Sequence, residues 1–481
     1  ALMRQKTRPP DQRQGGSSVK KILALMMTLV ACAGASAAAS QNAVASTRPN
    51  VVFVMLDDVA KGAWATMPTV RQSIVQRGVA FRNGMVPTSL CCPSRASFLT
   101  GNYAHTTGVY GNKADGHGAW QAFQPDENST LATHLSGSGY RTALVGKYLN
   151  GYNSAPEPYV PPGWDDFVAF QAPAYYNYRL TGTVSATHGS SPADYSTDVL
   201  SKYAADVVRD TPSSRPLFLY FAPFTAHFPF MPAPRHLNTW HPEDLPVAFN
   251  EADMSDKPSW MSDWRFQDPA SVQRQQQRQH EMLMSADDAI AAIIDALGPD
   301  RMSNTLFIVM SDNGFQTGAH RLVGKNWPYA LSTEVPMAMR WDGHLPSGTA
   351  SRRLTLNIDL TASIAEATGT SWGMDGMSYF SADRTGTVLE QYPQTRLNTP
   401  DPALELHPGY CGYRTARWMY VEWSDNKGRE LYDYRTDPDE MNSLTGDPQW
   451  ADQAAQMRAL AKTACSPVPP GFTWDRVPLG G

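Results

Sequence analysis

Three short stretches of the chain are apolar at nearly every position instead of every second one: residues 51–56, 217–222 and 305–310. Runs this short, rich in β-branched and aromatic residues, predict strands buried on both faces, as in a parallel sheet. Between them apolar residues return at helical spacing, over 200–208 and over 280–297, where Ala289, Ile290, Ile293, Ile294 and Leu297 mark one face. Strands alternating with helices predict an α/β fold, a large mostly parallel sheet sandwiched by helices. Asp57-Asp58 follow the first run and Asp312-Asn313-Gly314 the third. Polar residues just past strand ends line the ligand crevice of such sheets. Residues 225–275 have no period and are rich in Pro, Trp, His and Asp, which predicts a long rim loop or active-site insertion. Near residue 376 the texture changes. Residues 417–423 alternate, 426–428 form a turn signal and 430–434 continue it, a hairpin pattern, and 450–464 reads as a helix. The organisation expected is a catalytic domain over 48–375 and a smaller C-terminal α+β subdomain, with an antiparallel sheet, over 376–481.

Composition narrows the function. The chain has 481 residues, 42% hydrophobic and 18% charged, which fits a folded globular enzyme and excludes a disordered or collagen-like chain. Forty Lys+Arg against 45 Asp+Glu give a formal charge of -5, which speaks against a nucleic-acid binder. No repeat is visible, which argues against a solenoid or propeller. In residues 1–39, Lys20-Lys21 precede an apolar run over 22–30 and then Ala35-Ser36-Ala37, the layout of a secretory signal. The run is shorter than the roughly 20 residues of a bilayer span, so no stable transmembrane anchor is expected. Cleavage after the Ala-Ser-Ala segment would release a secreted, periplasmic or extracellular protein. The segment Leu29-Val30-Ala31-Cys32 reads alternatively as a lipobox that would make Cys32 a lipidated terminus. Five cysteines are too few for a disulfide scaffold. In a secreted setting Cys411 and Cys465, both outside the motif below, are expected to pair, with two buried free thiols as the alternative.

The most specific signal is Cys91-Cys92-Pro93-Ser94-Arg95, a C-x-P-S-R motif continued by Thr100-Gly101. The pair lacks the C-x-x-C spacing of a zinc half-site. Here the sequence resembles the sulfatase family of the alkaline-phosphatase-like superfamily, and the resemblance extends from about Arg48 to Leu444. It includes the opening Arg48-Pro49-Asn50 strand that ends in Asp57-Asp58. Taken alone, that acidic pair reads equally well as a strand-end turn. Combined with Asp312-Asn313 and the Cys91 motif, it reads as an oxygen-rich metal site. The resemblance implies that Cys91 is converted to formylglycine by a maturation enzyme. It further implies one Ca2+ held by Asp57, Asp58, Asp312, Asn313 and residue 91. Arg95 would hold that centre in place, and Lys147, His227 and Lys325 would clamp the sulfate. His105 and His320 are weaker substrate-binding candidates.

The implied substrate is a sulfated carbohydrate or another sulfate ester. In the mechanism the resemblance implies, a diol hydroxyl of hydrated formylglycine 91 would attack sulfur, Lys147, Lys325 and the metal would stabilise charge, and His227 or Lys325 would protonate the leaving alcohol. The second hydroxyl would then lose its proton and expel sulfate, restoring the aldehyde. One position departs from the family pattern: Leu149 stands where many sulfatases carry a histidine after Gly-Lys, so the base of the last step is left to His105, Asp312 or solvent. The Gly146-Lys147-Tyr148-Leu149-Asn150 form and Met374-Asp375-Gly376-Met377-Ser378 look like the N-acetylglucosamine-6-sulfatase branch and its extracellular heparan endosulfatase relatives. Two other readings stay open at this point. One is a phosphonate monoester or phosphodiester hydrolase of the same superfamily. The other is a catalytically silent glycan-binding protein, against which the retained Cys91, Arg95 and acidic pairs argue.

Overall fold

In the computed structural model the described residues are 48–476, without 242–243, 263 and 396–405. The expected signal segment and Cys32 lie outside them. Each apolar run becomes a strand: Asn50–Leu56, Leu217–Ala222 and Thr305–Ser311 are buried along their whole lengths. They sit side by side inside one ten-stranded sheet. Its spatial order is Thr349–Leu356, Val79–Met85, Met337–Arg340, Thr305–Ser311, Asn50–Leu56, Leu217–Ala222, Arg141–Gly146, Asp166–Phe170, Tyr178–Gly182 and Ala186–His188. The five strands from Thr305–Ser311 to Asp166–Phe170 run parallel, and antiparallel pairings appear toward the edges. The register is direct, Val51 opposite Phe218 and Leu306.

Continuous apolar runs are explained by burial on two faces. Val51, Phe53 and Met55 point into one core with Phe98, Leu131, Leu360 and Ile364, so the helices Cys91–Thr100, Leu131–Gly137 and Asn357–Thr368 cover that face. Val52, Val54 and Leu56 point the other way, against Leu200, Val208, Ile290 and Ile293 of the helices Ser196–Asp210 and Pro269–Ser303. Each fully buried side chain of this size contributes about 1.5–3 kcal/mol. Both expected helices are longer than their apolar stripes. The second begins at Pro269 behind the cap Asp268, whose carboxylate accepts from Ser271 N–H, so the aperiodic segment ends at 268 and not at 275.

The hairpin signal is realised as Trp418–Trp423 paired antiparallel with Gly428–Asp433. It belongs to a four-stranded antiparallel sheet that also holds Gly386–Gln391 and Tyr410–Thr415. One face packs on the helix Ala451–Ala464 through Tyr420, Leu431, Met457 and Ala461. The other packs Met419, Val421 and Trp423 on Trp327, Leu354 and Ile358 of the large-sheet part of the chain. Cys411 and Cys465 form the expected disulfide, Cα atoms 6.2 Å apart, which ties the end of that helix to a central strand.

Candidate active site

Parallel strands end together, and here the ends deliver the charges. Asp57 and Asp58 follow one strand, and Asp312 and Asn313 follow its neighbour. Asp58 has φ 60°, a left-handed conformation uncommon outside glycine, and its N–H donates to Asp312 Oδ1 at 3.2 Å. Lys147 follows the strand Arg141–Gly146. Gly146 has φ 126°, and a Cβ there would lie 2.0 Å from the Ala222 carbonyl, so only glycine lets Lys147 N–H reach that carbonyl at 2.7 Å. His227 arrives by a loop fixed by two backbone bonds, Asp57 N–H to Thr225 O and Ala226 N–H to Asp57 O. Cys91 opens the helix Cys91–Thr100, where Asn112 Oδ1 accepts the otherwise orphaned Cys92 N–H at 2.9 Å.

These side chains interlock. Arg95, fully buried, donates from Nε to Asp312 Oδ2 at 2.7 Å, from Nη2 to Asp57 Oδ2 at 3.3 Å and from Nη1 to the Lys147 carbonyl at 3.0 Å. Lys147 Nζ lies 2.5 Å from Asp57 Oδ2. Lys325 Nζ lies 2.6 Å from Asp58 Oδ1 and 2.7 Å from Cys91 Sγ. His227 Nε2 is 3.4 Å from Asp58 Oδ2. Burial pushes the Asp57 carboxyl up, but Lys147, His227 and Arg95 outweigh it and hold it below the usual range. Burial acts the same way on Asp58, where Lys325 and His227 win. For Cys91 the balance reverses: burial pushes its thiol far up despite Lys147 and Lys325, so as a plain cysteine it stays protonated and is a poor nucleophile. Burial also lowers His227, with Asp58 opposing, which leaves it a neutral imidazole near pH 7.

One ligand atom each from Asp57, Asp58, Cys91 and His227 falls within a common 4.8 Å. Asn313 donates from Nδ2 to Asp58 Oδ1 at 2.8 Å and leaves a buried Oδ1 without a partner among the described residues. An orphaned amide oxygen beside two ionised carboxylates fits a hard divalent cation. Asp312 lies against this group through Arg95 and the Asp58 N–H.

Two sequence candidates sit elsewhere. His105 bonds through Nδ1 to both Glu390 oxygens at 3.0 Å and stacks on Tyr103, in an ion pair that joins its helix to the antiparallel sheet. Among the described residues it has no bond to the cluster. His320 is buried and bound to Glu251 Oε2 at 2.6 Å, and it lines a cavity of about 620 Å³ that shares Asp58 with the cluster. Leu149 is a core residue, 4% exposed. The partners Glu251 and Glu390 carried no sequence signal, since each finds its histidine only through tertiary packing.

A sequence profile of the sulfatases matches residues 49–370. The chain belongs to the sulfatase family. A second profile, the C-terminal region of N-sulphoglucosamine sulphohydrolase, matches residues 318–464 of this sulfatase. It is 30% identical to N-acetylglucosamine-6-sulfatase of Capra hircus over 92% of its own length and 89% of the relative's. To the arylsulfatase of Volvox carteri it is 27% identical over 85% and 73%. Its fold is similar to that of a protein solved in complex with its substrate D-glucosamine-2-N,6-O-disulfate, with a TM-score of 0.71, 20% identity and coverage of 87% and 98%. The phosphonate monoester hydrolase of Agrobacterium radiobacter gives a TM-score of 0.67 at 18% identity, covering 89% and 100%. These neighbours place the sulfatase in the alkaline-phosphatase-like fold, and the family makes it a sulfuric ester hydrolase. No helix among the described residues is long and apolar enough to cross a membrane.

Proposed function

We propose that this sulfatase removes the 6-O-sulfate of N-acetylglucosamine or a glycan carrying it, using formylglycine at position 91 and one Ca2+, outside the cytoplasm. The observation that supports this most is the setting of Cys91. Its Sγ lies 3.7 Å from Asp57 Oδ1, 3.8 Å from Asp58 Oδ1 and 2.7 Å from Lys325 Nζ. The N-acetylglucosamine-6-sulfatase relatives, matched over most of both chains, supply the substrate class. Export rests on the signal-like residues 1–39. The catalytic part is assigned to 48–375 and the C-terminal subdomain to 376–481.

Asp57, Asp58, Asp312, Asn313 and residue 91 would hold the cation, which would acidify a hydroxyl and draw charge from sulfuryl oxygens. Formylglycine supplies a hydroxyl nucleophile with a twin hydroxyl that lets sulfate leave. The chain's own groups do the rest. The three carboxylates Asp57, Asp58 and Asp312 are matched by the three cations Arg95, Lys147 and Lys325, so a bound divalent cation would leave the site positive and ready for an anionic ester. Lys147 and Lys325 would face the sulfuryl oxygens, as positioned cations do in phosphoryl transfer. Lys325 is the proton donor to the leaving oxygen: burial lowers its affinity for a proton, but the carboxylates around it, Asp58 first, outweigh that and keep it charged. Neutral His227 donates from Nδ1 to the Phe228 carbonyl at 2.6 Å, which leaves the Nε2 lone pair beside Asp58 able to take a proton. Cys91 is fully buried in the folded chain, so an enzyme that modifies it must act before folding is complete.

The test pairs mass analysis of the peptide holding residue 91 with turnover of sulfated sugars before and after chelation. Formylglycine at 91, loss of turnover on chelation and recovery with Ca2+ are expected. Equal turnover by protein carrying only unmodified Cys91 would refute the mechanism.

A further inference from the structure

The cavity beside the cluster has a distinctive charge pattern. Its cations are already engaged. Lys61 and Arg414 both pair with Glu334, and His320 pairs with Glu251. Burial lowers His280 to about 4, so it is neutral. Its carboxylates are less engaged. Among the described residues Asp244 and Asp439 have no ion-pair partner, and both are exposed. Glu440 is buried and, among the described residues, accepts only from the Ala330 N–H and the Tyr434 hydroxyl, and burial raises it to about 7. In the same lining, Gln316 is 0% exposed and neither Nε2 nor Oε1 has a partner among the described residues. A buried primary amide with both groups unmet is costly unless a ligand or water meets them. It offers one acceptor and two donors to neutral hydroxyl or acetamido groups.

In the proposed reaction the sulfate would be held by Lys147 and Lys325, which do not line this cavity, whereas Asp58, bonded to Lys325, does. The ring that carries the ester would then extend into a chamber in which Asp58, Asp244, Glu334, Asp439 and Glu440 outnumber the cations Lys61 and Arg414 among the described residues. A second sulfate or carboxylate on that ring would meet like charge, which disfavours its binding. We propose that this cavity selects a leaving-group sugar with no anionic substituent besides the sulfate being cleaved, reading its hydroxyl and amide groups through Gln316 and excluding further anions through Asp244, Asp439 and Glu440. This rests on the sulfatase reading above and adds to it which sulfated sugars are refused.

Binding to the Cys91→Ala protein, loaded with Ca2+ and followed by calorimetry, tests the selection without turnover. N-acetylglucosamine-6-sulfate is expected to bind at least about tenfold more tightly than glucosamine-2-N,6-O-disulfate. Asp439→Asn with Glu440→Gln should narrow that ratio, and the exposed Asp439→Asn alone should narrow it in part should the double variant fold poorly. Gln316→Leu should weaken the monosulfated sugar about tenfold or more, because its polar groups lose their partner. Equal or tighter binding of the disulfated sugar, no binding of either, or a ratio unmoved by both charge variants would overturn the proposal. Turnover of N-acetylglucosamine-6-sulfate and of an aryl sulfate by formylglycine-bearing enzyme separates the two ideas. A preserved binding ratio without turnover sinks the proposed reaction and leaves the selection standing, whereas turnover with an inverted ratio does the reverse.

Discussion

Replacing Arg95 by alanine is expected to be among the most damaging single changes in this chain. Its guanidinium, 0% exposed, is the cation nearest the equally buried Asp312 and shares Asp57 with Lys147. Without it Asp57 keeps Lys147 at 2.5 Å, but among the described residues Asp312 keeps only the Asp58 N–H at 3.2 Å, a neutral donor. Breaking a buried pair by removing one partner costs about 3–5 kcal/mol, because the remaining charge is left without compensation. The Lys147 carbonyl, which accepts from Nη1 at 3.0 Å, loses its side-chain donor as well and adds about 1 kcal/mol. Arg95→Ala should therefore lower stability by about 4–6 kcal/mol. Arg95→Lys keeps the charge but loses the planar fork that spans two carboxylates and a carbonyl, so it should cost about half as much. Urea unfolding followed by tryptophan fluorescence, with chelator present so that only the chain's own charges count, reads both values. A loss under about 1 kcal/mol for Arg95→Ala, or equal losses for the two variants, would refute the argument that Arg95 is the charge and the fork that hold the strand ends together.

The Cys411–Cys465 bridge closes a loop with a separation of 54 residues, for which the chain-entropy relation gives about 4 kcal/mol. Cys411→Ser with Cys465→Ser should lower the unfolding free energy by that order, and a loss below about 1 kcal/mol would show that the bridge does not constrain the unfolded chain. Burial raises Glu440 from 4.5 to about 7, so the folded state holds its proton more tightly than the unfolded state. That stabilisation is fully present below about pH 4.5 and is lost as pH rises through about 7, up to about 3 kcal/mol in all. Glu440→Gln should flatten the wild-type decline over that window in denaturant titrations at successive pH values, and identical slopes for the two proteins would reject the raised carboxyl.

The centre of the large sheet was legible in the chain. Strands buried on both faces leave a continuous apolar signature, and residues 51–56, 217–222 and 305–310 carried it in full, with the acidic pairs written directly after two of them. The Cys91 motif was legible through its resemblance to the sulfatase family, and the helix it opens is buried at all ten positions. Register and handedness of the crossovers then bring those strand ends to one edge. Tertiary structure decided what no local pattern encodes. His105 and His320 are equally plain histidines in sequence, yet one is bound to Glu390 on the antiparallel sheet and the other to Glu251 in the aperiodic segment beside the cavity. His227 falls among the ligand atoms because two backbone bonds join its loop to Asp57. The cavity wall joins Gln316, four residues past Asp312, to Glu440 more than a hundred residues later. Such pairings depend on long-range packing of two sheets, whose partners share no spacing in the chain, so charge compensation and specificity emerge only once the sheets are placed.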